Sequence, residues 1–546
     1  MDNINVFLKI NKEIWNSIKP KHTEEKDKDG SGKSELLLVE MQNHPILMHG
    51  NAVFCCILRE ALNYKIAFLD VKQNLVKEIY RSYDQNFLFI NFHRLGLQGL
   101  ITFLYIFFIK SIKILFTSRI LDFKIDNIKY GDILYDSYLA GYQLATIKKI
   151  KFDFFITLAH IILNHIKFKK TLQQTRPKAI LVSHNIGSEY GVLMRVALSL
   201  DILVYLRTGG NGKTLVQVYK SSGEIYHDIY RPTIEDINFL SAMDKEELNK
   251  DFEKISGTDK RQCIWGDDFK SAFSKQKKIY TSKKQFSDEY GIAPGKKIVF
   301  IMLHSFNDHP HSHYGSLFFK DYYDWFAKTL SIAENKKDVI WVFKEHPNSK
   351  FYPTSDISLK DHFNDHMENI LFLDSGEPFN SYSLNYIADV IITILGTAGV
   401  EFPAIGGIPS VIAGNSSYSG YGFTIQPNSF EEYVEVLQNI ETIGKLEKPK
   451  QDIARIVYLY NQYYSYVQFS CSPMLDYEET KNITLEKYFG ELLPEHYKNE
   501  RENMQKEFTD YVEILKQPDF FRLSKISLYR SMILSSEKKI LSDTYN

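Results

Sequence analysis

The chain has 546 residues, of which 44 % are hydrophobic and 24 % charged, and its 66 Lys and Arg nearly cancel its 67 Asp and Glu. That length predicts two or three domains with substantial cores, and the balanced charge argues against a chain-wide attraction to nucleic acid, leaving only a local basic patch open. The four cysteines, Cys55, Cys56, Cys263 and Cys471, lack CxxC or zinc-finger spacing, which points to reduced thiols and a cytoplasmic protein.

The first residues, "MDNINVFLKINKEIW", lack the basic start and unbroken apolar core of a signal peptide. Residues 1–34 are expected to form a flexible leader, a short amphipathic start followed by the charged run "KPKHTEEKDKDGSGK". Residues 35–285 then read as a first Rossmann-like domain with helical insertions. "ELLLVEM" has the composition of a buried strand, "ILMHGNAVFCCILREALNY" has helical spacing, and "KIAFLD" is strand-like again, giving a β-α-β unit. The apolar stretch "LGLQGLITFLYIFFIKSIKILF", residues 95–116, is interrupted at Lys110 and falls short of a membrane span. A buried helix is expected there, with a membrane-surface helix as the alternative.

"KAILVSH" and "DILVYLR" flank a helical segment and repeat the strand-helix-strand rhythm of a parallel sheet. Residues 235–290 are rich in Lys, Asp and Glu and are expected to hold helices and an interdomain connection. The alternation restarts at "KIVFIML" and runs through "DVIWVFK", "ENILFLD", "ADVIITIL" and "IPSVIAG", so residues 290–450 read as a second Rossmann-like domain. Residues 451–546, Tyr-rich and Lys/Glu-rich, are expected to form a helical extension packing across both domains. No repeat of 20–50 residues is visible, which argues against a solenoid. The fold class is therefore α/β, two doubly wound domains facing a cleft, and the loops after the strands are where ligands belong.

Two such loops stand out. In "VFKEHPNSKF" a strand exits through Lys344, Glu345, His346 and Pro347. The lysine offers a point charge to a phosphate, and the proline fixes the backbone beside the histidine. In "ADVIITILGTAGVEFPAIGGIPSVIAG" a strand ends at Leu395, and Gly396, Thr397, Ala398 and Gly399 allow a tight turn into a helix whose free amides suit a phosphate. Glu401 falls on the first turn, where it could accept hydrogen bonds from ribose hydroxyls. The competing account makes the glycines a turn, Thr397 a cap and Glu401 a complement to the helix dipole.

These elements, with "YSGYGFTIQPNSFEEY" after them, resemble the Lys-x-His-Pro, Gly-Thr-x-Gly-x-Glu and Gly-Phe-Thr motifs of bacterial GT-B-type capsule and lipopolysaccharide glycosyltransferases. The similarity is in particular to capsule-type Kdo transferases and related surface carbohydrate biosynthesis proteins. It covers about residues 296–440; in the first domain only "YGDILYDSYLAG" and "VSHNIGSEYG" are similar. The resemblance implies a carboxyl-terminal domain that binds a nucleotide-sugar donor and an amino-terminal domain that binds a glycan or glycolipid acceptor. It further implies a CMP-linked acidic sugar, peripheral contact with the inner face of the cytoplasmic membrane, and no resident cofactor. Lys344, His346 and Pro347 would meet donor phosphate, with Gly396, Thr397, Ala398 and Gly399 lining the phosphate loop and Glu401 holding the ribose. The acidic motif of bacterial sialyltransferases has no match, since "WGDDF" at 265–269 reverses its order.

Sugar transfer also needs a base or nucleophile near the anomeric carbon. The candidates are Asp132, Asp136, His184 and Glu189 in the first domain, with His304 and Asp308 in "MLHSFNDHPHSHYG". Asp132 and Asp136 share a helix face by spacing, or serve as caps. Four histidines in that loop raise the question of metal, but neither HExxH nor a carboxylate-partnered HxH is present, and a metal-independent mechanism is expected. Three other readings compete: a polyol-phosphate transferase of teichoic-acid type, a nucleotide-sugar epimerase on the same two-domain plan, and a glycan-binding scaffold without turnover.

Overall fold

A computed structural model describes residues 2–18, 34–40, 42–92, 95–210, 212–256, 272–274, 276–315, 317–347, 349, 352–364, 366–475, 479–480 and 482–533. The charged part of the leader, Cys263 and "WGDDF" lie outside these residues.

The first sheet is built from β1 (Leu36–Val39), β2 (Lys65–Leu69) and β3 (Leu88–Ile90), followed after a short hairpin, β4 (Lys124–Ile125) and β5 (Ile128–Lys129), by β6 (Ala179–Val182), β7 (Leu203–Thr208) and β8 (Lys213–Tyr219). Its parallel part runs in the order β3-β2-β1-β6-β7, and β8 adds antiparallel to β7. Apart from the edge strand β3, the strands are buried on both faces, as their Leu, Ile and Val runs require, because helices cover each side. The second sheet contains β9 (Ile298–Met302), β10 (Ile340–Lys344), β11 (Ile370–Leu373), β12 (Val390–Thr393), β13 (Ser410–Ile412) and β14 (Thr424–Ile425). All six are parallel, in the order β11-β10-β9-β12-β13-β14. Both sheets therefore have the Rossmann order, with a topological switch between β1 and β6 in the first and between β9 and β12 in the second.

The expected elements thus form, with two differences in where they belong and one in what the extension contains. Residues 2–18 of the leader make a helix whose Phe7, Ile14 and Trp15 are buried against the first unit. The amphipathic start is core, not leader. Residues 276–290 pack with the second unit, since Tyr280 and Phe286 share a cluster with Phe300 and Phe379 and a bridge joins Lys278 to Phe379. Within the extension, helix Lys448–Leu459 lies on helix Ala398–Gly406 of the second unit, whereas helix Leu493–Leu515 packs on the first. It also adds β15 (Val467–Gln468) and β16 (Arg522–Leu523) antiparallel to β8, so it is not purely helical.

A fourth difference concerns helix Leu97–Thr117. Only Ile114 is buried in it, so the buried helix expected there is not what forms. Its Phe103, Ile106 and Phe107 rest on the core through helix Phe152–Thr175, and the rest of its apolar surface faces outward.

Candidate active site

The carboxyl ends of β10, β9 and β12 are level. Lys344 and Thr393 both sit opposite Met302 in register, so the exits of the three strands open side by side across roughly 10 Å of sheet edge. The Lys344–Pro347 loop and the Gly396–Glu401 turn therefore flank a third loop, residues 303–315, which leaves the central strand at the switch point. Leu303 N donates to Lys344 O at 3.0 Å and Thr393 Oγ1 to Met302 O at 3.3 Å, tying the three exits together.

Lys344 is buried at the end of β10 and makes no ion pair among the described residues. Burial first, and the neighbouring Lys277 second, push its ammonium down to about 8. At neutral pH it is still an ammonium, and one held in a buried strand end is poised for an anion. His346 is pushed down to about 3 by burial, with His304 and Lys344 adding to the shift, so its ring is neutral at pH 7. On the other flank, helix Ala398–Gly406 begins at the turn, and the Thr397 side chain makes no capping hydrogen bond. The capping role considered for Thr397 is therefore not what the turn uses. Gly399 is required by packing: a Cβ there would lie 2.3 Å from Tyr418 Oη, whose hydroxyl donates to Gly396 O. Glu401 is buried one turn into the helix.

The loop from β9 gathers around Asp308. His304 Nε2 lies 3.6 Å from its Oδ2, the His304 and His346 rings meet edge to face at 5.7 Å, and the His309 and His313 rings are 5.9 Å apart. Burial raises the Asp308 carboxyl, but His304, His313, His309 and His346 more than reverse this, so its pKa is lowered and it is a carboxylate at neutral pH. Burial also drives His309 down to about 4, and its backbone takes the left-handed conformation at φ 50°. Among the described residues no group of three or more His, Cys, Asp or Glu is arranged to hold a metal ion.

The first unit closes over this loop. His184, just beyond β6, is pushed down to about 4 by burial and by His313 across the cleft, and its Nδ1 has no hydrogen-bond partner. Asp136, on helix Gly131–Tyr142, accepts from Ser312 Oγ at 2.6 Å, Ser312 N at 2.7 Å and His311 N at 3.1 Å. These bonds make it the strut that holds the histidine loop, with burial pushing its carboxyl up to about 8 against the three donors. Gly315, at φ 75°, ends the loop where a Cβ would strike the Tyr226 ring at 2.6 Å. Asp132 is not paired with Asp136. Its oxygens take Arg195 Nη1 and Nη2, each at 2.7 Å, and Tyr226 Oη at 2.7 Å, so the carboxylate is consumed by a buried ion pair. Glu189 is exposed, in a turn that opens helix Val192–Ser199.

The first sheet's own switch point carries a cluster that the loop-by-loop reading missed. Glu40, Ser183 and Arg207 end or follow the adjacent strands β1, β6 and β7. Asn51 Nδ2 donates to Glu40 Oε1 and Ser183 Oγ, both at 3.2 Å, and Arg207 Nε donates to Asn51 Oδ1 at 2.8 Å. Burial lifts Glu40 to about 7 and lowers Arg207 to about 10. The rule that picked His184, a polar residue directly behind a buried strand, also picks Glu40 after "LLLV" and Arg207 after "LVYL".

No protein-family profile and no curated protein sequence matches the chain. Among solved structures it is similar to a Thermosulfurimonas dismutans KpsC β-Kdo 2,4 transferase, at 14 % identity over 53 % of this chain and 80 % of that one, with a TM-score of 0.33. It is also similar to a Neisseria meningitidis UDP-GlcNAc 2-epimerase bound to UDP-GlcNAc, at 13 % identity over 78 % and 95 % of the two chains with a TM-score of 0.23. A third similarity is to Anabaena Alr3699/HepE in complex with UDP, at 11 % identity over 78 % and 93 % with a TM-score of 0.23. Overlaps this low carry no functional argument; the two-Rossmann fold rests on the strand orders given above.

Proposed function

We propose that the protein is a glycosyltransferase that takes a sugar from a nucleotide donor bound at the second sheet and passes it to a glycan acceptor on the first. The observation that carries this reading is the convergence of Lys344, His346 and the Gly396–Glu401 turn on one level sheet edge, around a loop that presents an ionised Asp308. Lys344 and the amides at the start of helix Ala398–Gly406 would neutralise donor phosphate as the bond to the sugar breaks. Glu401 would bind the ribose hydroxyls. Asp308, oriented by His304, would take the proton of the attacking acceptor hydroxyl, and His184 would face the acceptor from the other wall.

Asp132 drops out of the catalytic set because Arg195 and Tyr226 occupy it, and Asp136 becomes a positioning residue. The donor base and the sugar, including the CMP-linked acidic sugar of the resemblance, are part of this proposal and are tested with it. Thermal unfolding with CMP, CDP, UDP and GDP identifies the nucleotide, because a ligand of the folded state raises the midpoint. His346→Ala and Glu401→Ala are each expected to abolish the shift. Wild-type shifts in both would place the nucleotide elsewhere. Incubation with the corresponding nucleotide sugar alone tests the epimerase reading: a new sugar epimer without acceptor would replace transfer by epimerisation.

A further inference from the structure

The geometry points to a second binding surface, remote from the strand exits: helix Leu97–Thr117 lies in the headgroup region of an anionic lipid bilayer, apolar side down. Helices on globular proteins normally turn polar residues to water. This one turns Leu97, Phe108 and Phe116 outward at 76 %, 59 % and 87 % exposure, with Ile101, Leu104, Tyr105, Ile112 and Leu115 between them. Phe152, at the start of the neighbouring helix, continues the patch at 82 %. A contiguous apolar surface along a 21-residue helix, about 30 Å long, exceeds what a protein leaves to water without a partner.

The charge around the patch says which partner. Residues 85–188 hold 14 Lys and Arg against 5 Asp, a net charge of +9 in a chain whose total is −1. No acidic residue occurs in 85–121 or in 154–188. The Phe107–Phe155 ring contact sets the start of helix Phe152–Thr175 against the middle of helix Leu97–Thr117. Lys149 and Lys151, just before Phe152, therefore flank the apolar patch, and Lys113 stands on the helix itself, with no ion pair from these three among the described residues; Lys148 beside them is within 3.9 Å of Asp356. A basic rim around aromatic and aliphatic side chains matches lipid phosphate over acyl chain. A second copy of the chain is disfavoured, because residues 85–121 and 154–188 offer no acidic side chain with which a self-complementary contact could pair these lysines. The helix cannot stand across the bilayer while packed as it is, since its partner helix would carry His165, Lys167, Lys169 and Lys170 into the hydrocarbon.

This inference does not depend on the glycosyltransferase reading. It is tested by flotation of the full-length protein with vesicles of phosphatidylcholine alone or containing about one third phosphatidylglycerol. Wild type is expected to float with the anionic vesicles, less so at high salt. Phe108→Glu combined with Phe116→Glu should reduce the bound fraction on the order of tenfold without moving the thermal midpoint, because both positions are exposed. Lys149→Ala with Lys151→Ala, which leaves the apolar face intact, should weaken binding only to the anionic vesicles. Unchanged flotation of both variants would overturn the inference. So would an absence of vesicle binding together with a wild-type dimer that the Phe108→Glu/Phe116→Glu variant dissolves in sedimentation, which would assign the face to a second copy.

Discussion

Replacing Lys344 with methionine separates the two things a buried lysine does. Holding this ammonium down to about 8 instead of 10.5 costs the folded protein about 3 kcal/mol at neutral pH. Methionine fills nearly the same volume and carries no charge to desolvate. Lys344→Met is therefore expected to be more stable than wild type at pH 7 by that order, a rise of roughly 6–10 °C in the midpoint of the second unit. The sign follows from linkage: the unfolded amine binds a proton up to about 10.4 and the folded one only up to about 8, so wild-type stability rises with pH across that window. The advantage of the variant is full below pH 8 and fades as pH approaches 10.4. The same substitution removes a charge-assisted contact to phosphate, and nucleotide affinity should fall by roughly 10–100-fold. Unfolding curves from pH 7 to 10 and calorimetric titration at pH 7 read both effects. A variant less stable than wild type would mean that the amine is paired in the folded state, and unchanged nucleotide affinity would remove it from the phosphate site.

Asp132→Asn breaks the buried pair with Arg195 and should cost about 3–5 kcal/mol in urea unfolding; a loss below about 1 kcal/mol would show that the ion pair is not holding the first unit together. Gly399→Ala pushes a methyl into Tyr418 and should cost about 1–3 kcal/mol while weakening nucleotide binding, and a variant with wild-type affinity would detach the turn from the ligand. Asp136→Asn turns an amide toward the donors of His311 and Ser312 and should cost about 1–3 kcal/mol. Because it touches the histidine loop and not the phosphate flank, it should lower kcat with donor affinity retained; equal losses in both would contradict its role as a strut.

The strands were legible because a buried parallel strand can hardly be written otherwise: "LLLV", "AILV" and "IVFIM" are apolar at every position and "VIIT" at all but its last, and all four are central strands of their sheets. Which strand neighbours which follows from Rossmann order, so the approach of the Lys344 and Gly396 loops was legible too. The histidine loop was legible as a composition only. Nothing local says that Asp308 is surrounded while His311 turns its amide to Asp136, because that arrangement depends on residues 175 positions away. Asp132 and Asp136 show the same limit from the other side. Their i, i+4 spacing does place both on one helix, but their partners come from different units, Arg195 and Ser312, and those partners decide that neither acts as a pair. Helix Leu97–Thr117 was misread twice: its 21 residues are long and apolar enough, by length and composition, to cross a membrane, and because core helices pass that same test only its exposure separates the cases.

The site as a whole is a property of the interface between the units. The second sheet by itself supplies Lys344, His346 and the glycine turn, which is enough to grip a phosphate. The reactive loop is different: its middle is pinned by Asp136, its exit is shaped by Tyr226 against Gly315, and His184 faces His313. All three contacts come from the first unit. Separating the units would leave the phosphate grip intact and strip Asp136 of its three hydrogen bonds, freeing the loop that carries Asp308. Donor binding and chemistry thus rest on different supports, one inside a single sheet and one that exists only where the two units meet and Asp136 holds the loop that carries the carboxylate.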